Sequence, residues 1–349
     1  MSTRFGVHLY PLIRPLVFAF GAETAHRISI AALKALPVHD QHLPAVLRTT
    51  VAGLNFPSPV GLAAGYDKDA EVPAEMLSLG FGFVEVGTVT PRPQPGNPKP
   101  RLFRLAQDRA VINCMGFNNE GQTAAFVRLK ACNRSGGPIG VNIGANKDST
   151  DRIADYVAGV KSMSPVADYL TVNISSPNTP GLRGLQDQGA LDTLLSAIAG
   201  ARAQKGPPVF LKVAPDLQSG DAGRIVRSAI DNRIDAIIVS NTTISRPPLK
   251  SARADEQGGL SGAPLKSLAL DALREFRSAS GGEIPLIGCG GIANADDAWE
   301  RICAGASLVQ LYTAMVYEGP HIARRIAHGL AHKLRRSGFA SIAEAVGSG

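Results

Sequence analysis

Short, wholly apolar runs alternate along most of this chain with longer stretches whose apolar residues return every three or four positions. The runs fall at 59–63, 81–87, 138–142, 168–174, 208–213, 234–240, 284–289 and 306–311, each rich in Val, Ile, Leu or Phe. Continuous apolarity over so few residues predicts strands buried on both faces. The stretches 118–132, 149–162, 189–204, 218–232, 264–279 and 294–304 have helical character. Eight buried strands alternating with helices predict an α/β fold of the closed (β/α)8 TIM-barrel type. An open doubly wound sheet usually has fewer strands and a glycine fingerprint after the first, and none follows Pro59 to Ala63. The polar, Pro-rich 91–101 segment predicts a long loop above the barrel.

The first 50 residues follow a different pattern. Leu9, Leu12, Ile13, Leu16, Val17 and Phe20 form one apolar stripe at helical spacing, and Ile28, Ile30, Leu33 and Leu36 mark a second helix over about Ala22 to Leu36. His26, Arg27 and Lys34 are its polar members, Gly21 separates the two helices, and Pro37 closes them. The division predicted is an N-terminal helical hairpin extension over 1–50 and a barrel domain over 51–349. Apolar surface with flanking basic residues suits packing on the barrel or lying in a membrane interface.

Composition narrows the class. With 44% hydrophobic and 19% charged residues the chain reads as a globular protein. Aromatics make up 5% with a single Trp, too few for a stacking platform, and the basic residues behind the net charge of +7 are scattered, so no nucleic-acid partner is expected. That charge instead suits an anionic substrate or an acidic lipid face. Cysteines 114, 132, 289 and 303 have neither metal-ligand nor redox spacing, which predicts no metal and a reducing compartment. The longest strongly apolar run, Pro15 to Ala22, falls far short of the roughly 20 residues that span a bilayer.

In such a barrel the active site gathers at the C-terminal strand ends. These are Ala64-Gly65-Tyr66-Asp67-Lys68, Gly87-Thr88, Asn142, Asn173, Lys212, Ser240-Asn241-Thr242, Gly290-Gly291 and Tyr312-Thr313. Every one supplies a polar group or a glycine. The fourth runs on through Ser175-Ser176-Pro177-Asn178-Thr179-Pro180-Gly181-Leu182-Arg183. By composition alone that stretch is a Pro-bounded turn, and only its seven companions make it a site. Lys68, read alone, is a solvated charge, whereas Lys212 lies inside an apolar strand and needs a partner. The glycine clusters 258–262 and 288–291 predict loops that hold a phosphate by backbone N–H groups. Phosphate, buried lysine and strand-end amides together suit flavin mononucleotide, with Asn113, Asn178 and Asn241 left to read an amide-bearing ring.

The runs Gly61-Leu-Ala-Ala-Gly-Tyr-Asp-Lys68, Met115-Gly-Phe-Asn-Asn119, Asn173 to Arg183, Leu211-Lys-Val-Ala-Pro-Asp216 and Ser240-Asn-Thr-Thr243 closely resemble the dihydroorotate dehydrogenase family over nearly the whole chain. Ser176 and the N-terminal extension resemble its quinone-linked, membrane-associated class, class 2. The resemblance implies oxidation of dihydroorotate to orotate in pyrimidine synthesis, with FMN as prosthetic group and a membrane quinone as acceptor. Ser176 would be the catalytic base. Substrate contacts would fall on Lys68, Asn113, Cys114, Met115, Gly116, Phe117, Asn173, Asn178, Asn241 and Thr242. Flavin contacts would fall on Ala64, Gly65, Tyr66, Asp67, Lys68, Thr88, Asn142, Asn173, Lys212, Ser240, Gly262, Gly291, Tyr312 and Thr313. His26, Arg104 and Tyr312 match quinone-tunnel positions. The resemblance further implies a monomer peripherally bound to the cytoplasmic face of the cell membrane, with no obligatory protein partner. One departure is Cys114, where the family usually has Arg, so a local charge contact is lost. Rival classes that pass electrons to fumarate or NAD use a cysteine base and lack the extension.

Overall fold

A computed structural model describes residues 5–39 and 41–349, with side chains from residue 10 onward except that of residue 188. Its thirteen strands are β1 (Thr49–Val51), β2 (Leu54–Phe56), β3 (Val60–Leu62), β4 (Phe83–Val89), β5 (Leu102–Leu105), β6 (Ala110–Asn113), β7 (Ile139–Ile143), β8 (Tyr169–Asn173), β9 (Val209–Val213), β10 (Ala236–Val239), β11 (Gly259–Gly262), β12 (Leu286–Cys289) and β13 (Ala306–Leu311). Eight of them, in the order β3-β4-β7-β8-β9-β10-β12-β13, close into a parallel barrel. These are the eight apolar runs of the sequence.

The helices α1 (Phe5–Ala19) and α2 (Ala22–Lys34) form the N-terminal hairpin, and α3 (Pro73–Ser78) to α9 (Ala295–Cys303) lie between barrel strands. They include α4 (Gln122–Ala131), α5 (Arg152–Met163), α6 (Gln188–Ala201), α7 (Asp221–Asp231) and α8 (Lys266–Ser280). After the last strand come α10 (Thr313–Glu318), α11 (Ile322–Ser337) and α12 (Ile342–Ala345). Outward strand residues such as Val84, Val141, Leu170 and Leu211 meet the helices in one large core, to which α11 adds Ile322, Ile326, Leu330 and Leu334 from a single face.

The barrel interior is layered. At its base, Phe83, Tyr169, Phe210, Ile287 and Leu308 pack with Val51 and Phe56 of the β1–β2 hairpin, which closes that end. Two glycines make room for the rings: a Cβ at Gly61 would lie 2.3 Å from Phe83, and one at Gly140 2.0 Å from Tyr169. Above them sits the buried Glu85, whose carboxyl group accepts from Asn142 Nδ2 (2.7 Å), Gln310 Nε2 (2.8 Å), Thr171 Oγ1 (3.0 Å) and Tyr169 Oη (3.3 Å). This polar layer supports the strand ends, where the cavity opens.

One feature departs from the sequence expectation. The 258–262 cluster is not a loop throughout: β11 pairs antiparallel with β6, and β6 with β5, forming a small sheet beside the barrel mouth. Glycine-rich composition hid a strand whose partner lies some 150 residues earlier (|i−j| = 150 for Ser261 and Val111). The apolar stripe is confirmed from Leu12 onward, while the side chain of Leu9 lies outside the described residues. Both prolines of α1, Pro11 and Pro15, are accommodated within the helix. Among the described residues no helix is long and apolar enough to cross a membrane.

Candidate active site

A cavity of about 680 Å³ runs from the strand ends to the N-terminal hairpin. Its floor is an amide relay. Asn173 Nδ2 donates to Thr88 Oγ1 and Asn142 Oδ1, both at 3.1 Å, and Thr88 Oγ1 donates to Asn142 Oδ1 at 2.5 Å. Asn173 Oδ1 accepts from Ser175 Oγ (2.9 Å) and Asn241 Nδ2 (3.4 Å), while Tyr156 Oη donates to the Asn173 carbonyl (2.6 Å). Each amide is thereby fixed in orientation, which is what reading a ring edge demands.

Lys212 is 4% exposed yet has no hydrogen bond or ion pair among the described residues, and it lines the cavity. Buried ammonium groups are costly without a partner, so this one calls for a ligand acceptor. Ser176, also buried, lines the same cavity, its Oγ accepting from Asn178 N at 3.2 Å. Asn178 Nδ2 donates to Asn113 Oδ1 at 3.1 Å. Lys68 lines the same space, and its desolvation drives the ammonium down to about 8, with Asp69 opposing and Arg101 reinforcing the shift.

The segment after Ser176 is tied down by Arg183. Its guanidinium donates to the carbonyls of Ser175 and Thr242, both at 3.0 Å, and to Asp216 at 2.8 Å. Burial alone would raise Asp216, but hydrogen bonds from Thr243, Ile244 and Arg183 hold it below the ordinary carboxylate range. One side chain thus joins the ends of β8, β9 and β10.

At the far end, Gly262, Gly291, Tyr312 and Thr313 meet. The N–H groups of Gly291 and Tyr312 have no acceptor among the described residues. A Cβ at Gly291 would lie 2.4 Å from the Cα of Lys266, and one at Gly262 2.4 Å from the Arg109 carbonyl, so only glycine fits this cradle. Free N–H groups in such a cradle suit a phosphate.

Toward the hairpin the wall turns aromatic. His26 stands edge-on to Tyr66 at 5.1 Å and Tyr66 edge-on to Tyr312 at 5.6 Å, with Ser29 Oγ 3.0 Å from Tyr66 Oη. Burial, with Lys68 and Arg27 adding, lowers His26 to about 4; burial likewise raises Tyr66 to about 12. Arg104 donates to the carbonyls of Val17, Phe18 and Phe20, closing the C-terminus of α1, and its guanidinium lies 4.5 Å from the Phe18 ring. At the hairpin, Leu12 (75% exposed), Leu16 (67%) and Phe20 (47%) form an apolar face, of which Leu16 and Phe20 also line the cavity.

Ala64, Gly65, Tyr66, Lys68, Thr88, Asn113, Met115, Gly116, Phe117, Asn173, Ser176, Asn178, Lys212, Ser240, Asn241, Thr242, Gly262, Gly291, Tyr312, Thr313, His26 and Arg104 all line this one cavity. Three expected residues do not. Asp67 turns away to accept from the backbone of Glu71 (2.7 Å) and Val72 (2.9 Å), fixing the loop that carries Lys68. Asn142 lies one layer down, holding Asn173 in place. Cys114 packs against the cluster of Phe103, Leu105, Ala110, Ile112 and Leu260, and burial pushes its thiol up. Asn97, in the 91–101 loop, had gone unread: its Nδ2 donates to the carbonyls of Cys114 (2.9 Å) and Asn178 (3.2 Å). Arg101 anchors that loop to α2, bonding Glu23 (2.8 Å) and the carbonyls of Pro95 and Asn97. No periodicity marks such residues, because their role depends on contacts far along the chain.

Residues 46–334 match the family model described as Dihydroorotate dehydrogenase. The chain is 66% identical over 341 residues to a dihydroorotate dehydrogenase (quinone) of Erythrobacter litoralis, covering 97% of this chain and 99% of that protein. It is 62% identical over 345 residues to the protein of the same description from Novosphingobium aromaticivorans, covering 97% and 99%. Its fold superposes on the crystal structure of DHODH in complex with ferulenol from Eimeria tenella with a TM-score of 0.90, at 39% identity over 95% of this chain and 98% of that one.

Proposed function

The chain belongs to the dihydroorotate dehydrogenase family, and from that premise we propose that it oxidises dihydroorotate to orotate with a quinone as electron acceptor, in pyrimidine biosynthesis. The observation that carries this reading is a single cavity with an amide-lined floor at one end and an aromatic wall under the hairpin at the other. The prosthetic group that fits is FMN. Unpaired N–H groups of Gly291 and Tyr312 would hold its phosphate, and the partnerless Lys212 would hold the electron-rich edge of its ring. When bound, the flavin would supply the hydride acceptor for C6 of the substrate and the electron link to the quinone.

The chain's own residues do the rest. Lys68 supplies the cation for the substrate carboxylate, while Asn113, Asn178, Asn241 and Thr242 present donors and acceptors to its ring amides. Ser176 Oγ receives the proton from C5; a serine is a weak base, so the proton must move on along a hydrogen-bonded path. Arg183, by tying 175–183 to Asp216 and Thr242, keeps this side closed to water. Asn97 holds the Asn178 backbone and so sets the reach of its amide.

The extension over 1–50 then serves the second substrate, and the barrel over 51–349 the first. Exposed Leu12, Ile13, Leu16, Phe20, Ile28 and Leu36 suit peripheral docking on the cytoplasmic face of the cell membrane. His26, Arg104 and Tyr312 would line the quinone path. The reading includes a working monomer. Purified protein should be yellow and should reduce a short-chain quinone with dihydroorotate. Turnover with fumarate or NAD but not with the quinone would overturn the assignment.

A further inference from the structure

Arg301, on α9, is completely buried, yet it does not line the cavity. Its Nη2 donates to the Lys266 carbonyl at 2.6 Å and to the Gly290 carbonyl at 3.1 Å. Those carbonyls sit on the two segments that form the glycine cradle: Lys266 opens α8, just after Gly262, and Gly290 precedes Gly291. The stem of Arg301 runs beneath Gly288, where a Cβ would lie 3.4 Å from the arginine Cβ and 3.5 Å from its Cδ.

The Gly290 carbonyl and the Gly291 N–H belong to one peptide unit. A charged donor on the carbonyl fixes the plane of that peptide and polarises it, which strengthens the N–H on its other side as a donor. Gly291 N–H is one of the cavity's N–H groups without an acceptor among the described residues.

The charges nearby point the same way. The acidic residues nearby on the same helix are engaged: Asp297 by Lys266 Nζ at 2.6 Å and by Ala293 N at 2.9 Å, and Glu300, 3.2 Å from the same Lys266. Arg301 makes no ion pair among the described residues, and its Nε and Nη1 are buried without acceptors. A buried guanidinium without a counter-ion is costly, and an anion across the Gly290–Gly291 peptide offsets that cost.

We propose that Arg301 is a positioning residue for the phosphate of a flavin nucleotide, aiming the Gly291 N–H and placing a cation behind it. This deepens the FMN assignment above and rests on it. The test is to strip the flavin from the purified enzyme and measure FMN and riboflavin affinity for the apoprotein by flavin fluorescence. The wild-type chain should bind FMN far more tightly than riboflavin; equal affinities would remove the phosphate cradle itself, a failure separate from that of Arg301. In Arg301→Met, FMN should bind about 10- to 100-fold more weakly, as for loss of a charged hydrogen bond, with riboflavin unchanged. Arg301→Lys, which keeps the charge and a donor, should recover most of that loss. If the Met variant does not fold, Arg301→Gln is read by the same ratio. FMN affinity within twofold of wild type, or equal losses for FMN and riboflavin, would overturn the proposal.

Discussion

Raising the pH from about 7 to about 9 should loosen the cavity's hold on an orotate carboxylate by about tenfold, through Lys68 alone. In the free protein the desolvated ammonium titrates at about 8. At pH 7 about nine-tenths of the molecules carry the cation, and at pH 9 only about one-tenth do, a difference of about 1.4 kcal/mol in binding. The sign follows from burial: the folded value lies below the ordinary 10.5, so the free fold is disfavoured while Lys68 is charged. That penalty is fully present below pH 8 and fades as pH rises from 8 to 10.5. A bound carboxylate restores the higher value, so binding above pH 8 takes up a proton. Orotate titrated into the flavin-loaded protein and followed by flavin absorbance measures this without any contribution from turnover. Lys68→Arg should give a flat profile with affinity retained. Lys68→Met should give a flat profile with binding weaker by about 10- to 100-fold at pH 7. A wild-type affinity that changes less than twofold between pH 7 and 9, or a Met variant that keeps the slope, would refute the assignment of Lys68 to the carboxylate.

Ser176→Ala should leave flavin bound while slowing its reduction by dihydroorotate at least about 100-fold in stopped-flow traces, and a near-normal rate would remove Ser176 from its role. With His26 lowered to about 4, the ring stays neutral at working pH, so the KM for quinone should be level between pH 5 and 8. A step near 6.5 in that profile would contradict the buried, uncharged ring. Arg183→Ala, which severs three strand ends at once, should raise the KM for dihydroorotate about tenfold or more and open residues 178–186 to protease, whereas unchanged digestion would place closure elsewhere. Replacing Leu12 and Leu16 together with Asp should abolish sedimentation with lipid vesicles and leave reduction of a water-soluble quinone intact; sedimentation of the double variant as in wild type would exclude this face from docking.

The barrel was legible because each of its strands is buried on both faces, which writes an unbroken apolar run into the sequence. The β5–β6–β11 sheet was not, because its pairing joins residues of ordinary polarity across long separations, and Gly259–Gly262 carries the residues of a turn. At the site, strand-end position alone located the side chains on the cavity wall. It could not tell wall from support. Asn142 and Asn173 end neighbouring strands and look alike in sequence, yet the donors of Asn142 are spent on Glu85, one layer below, while Asn173 reaches the surface of the cavity. Asp67 and Lys68 are adjacent, and the turn of the loop sends one carboxylate to backbone N–H groups and one ammonium inward.

On the proposed reading, two chemistries with opposite needs share this one cavity. Proton removal requires fixed polar groups and a cation, the roles proposed for Asn173, Ser176 and Lys68, all of which line the cavity. Reduction of a quinone needs an apolar approach that carries no stray charge to the flavin. His26, Tyr66 and Tyr312 interlock edge-to-face, and burial holds all three neutral: His26 below its ordinary value, the two tyrosines above theirs. Two arginines on that side are committed. Arg104 is bound to the end of α1, and Arg101 to Glu23 on α2. The hairpin therefore does more than cover the barrel: its carbonyl groups accept from Arg104, and its Glu23 pairs with Arg101. Since Arg101 also holds the Asn97 loop, and Asn97 the backbone of Asn178, displacing the hairpin would disturb substrate binding as well as quinone access. A truncation from residue 1 through 38 should accordingly raise the KM for dihydroorotate, where a hairpin that served the quinone alone would leave it unchanged.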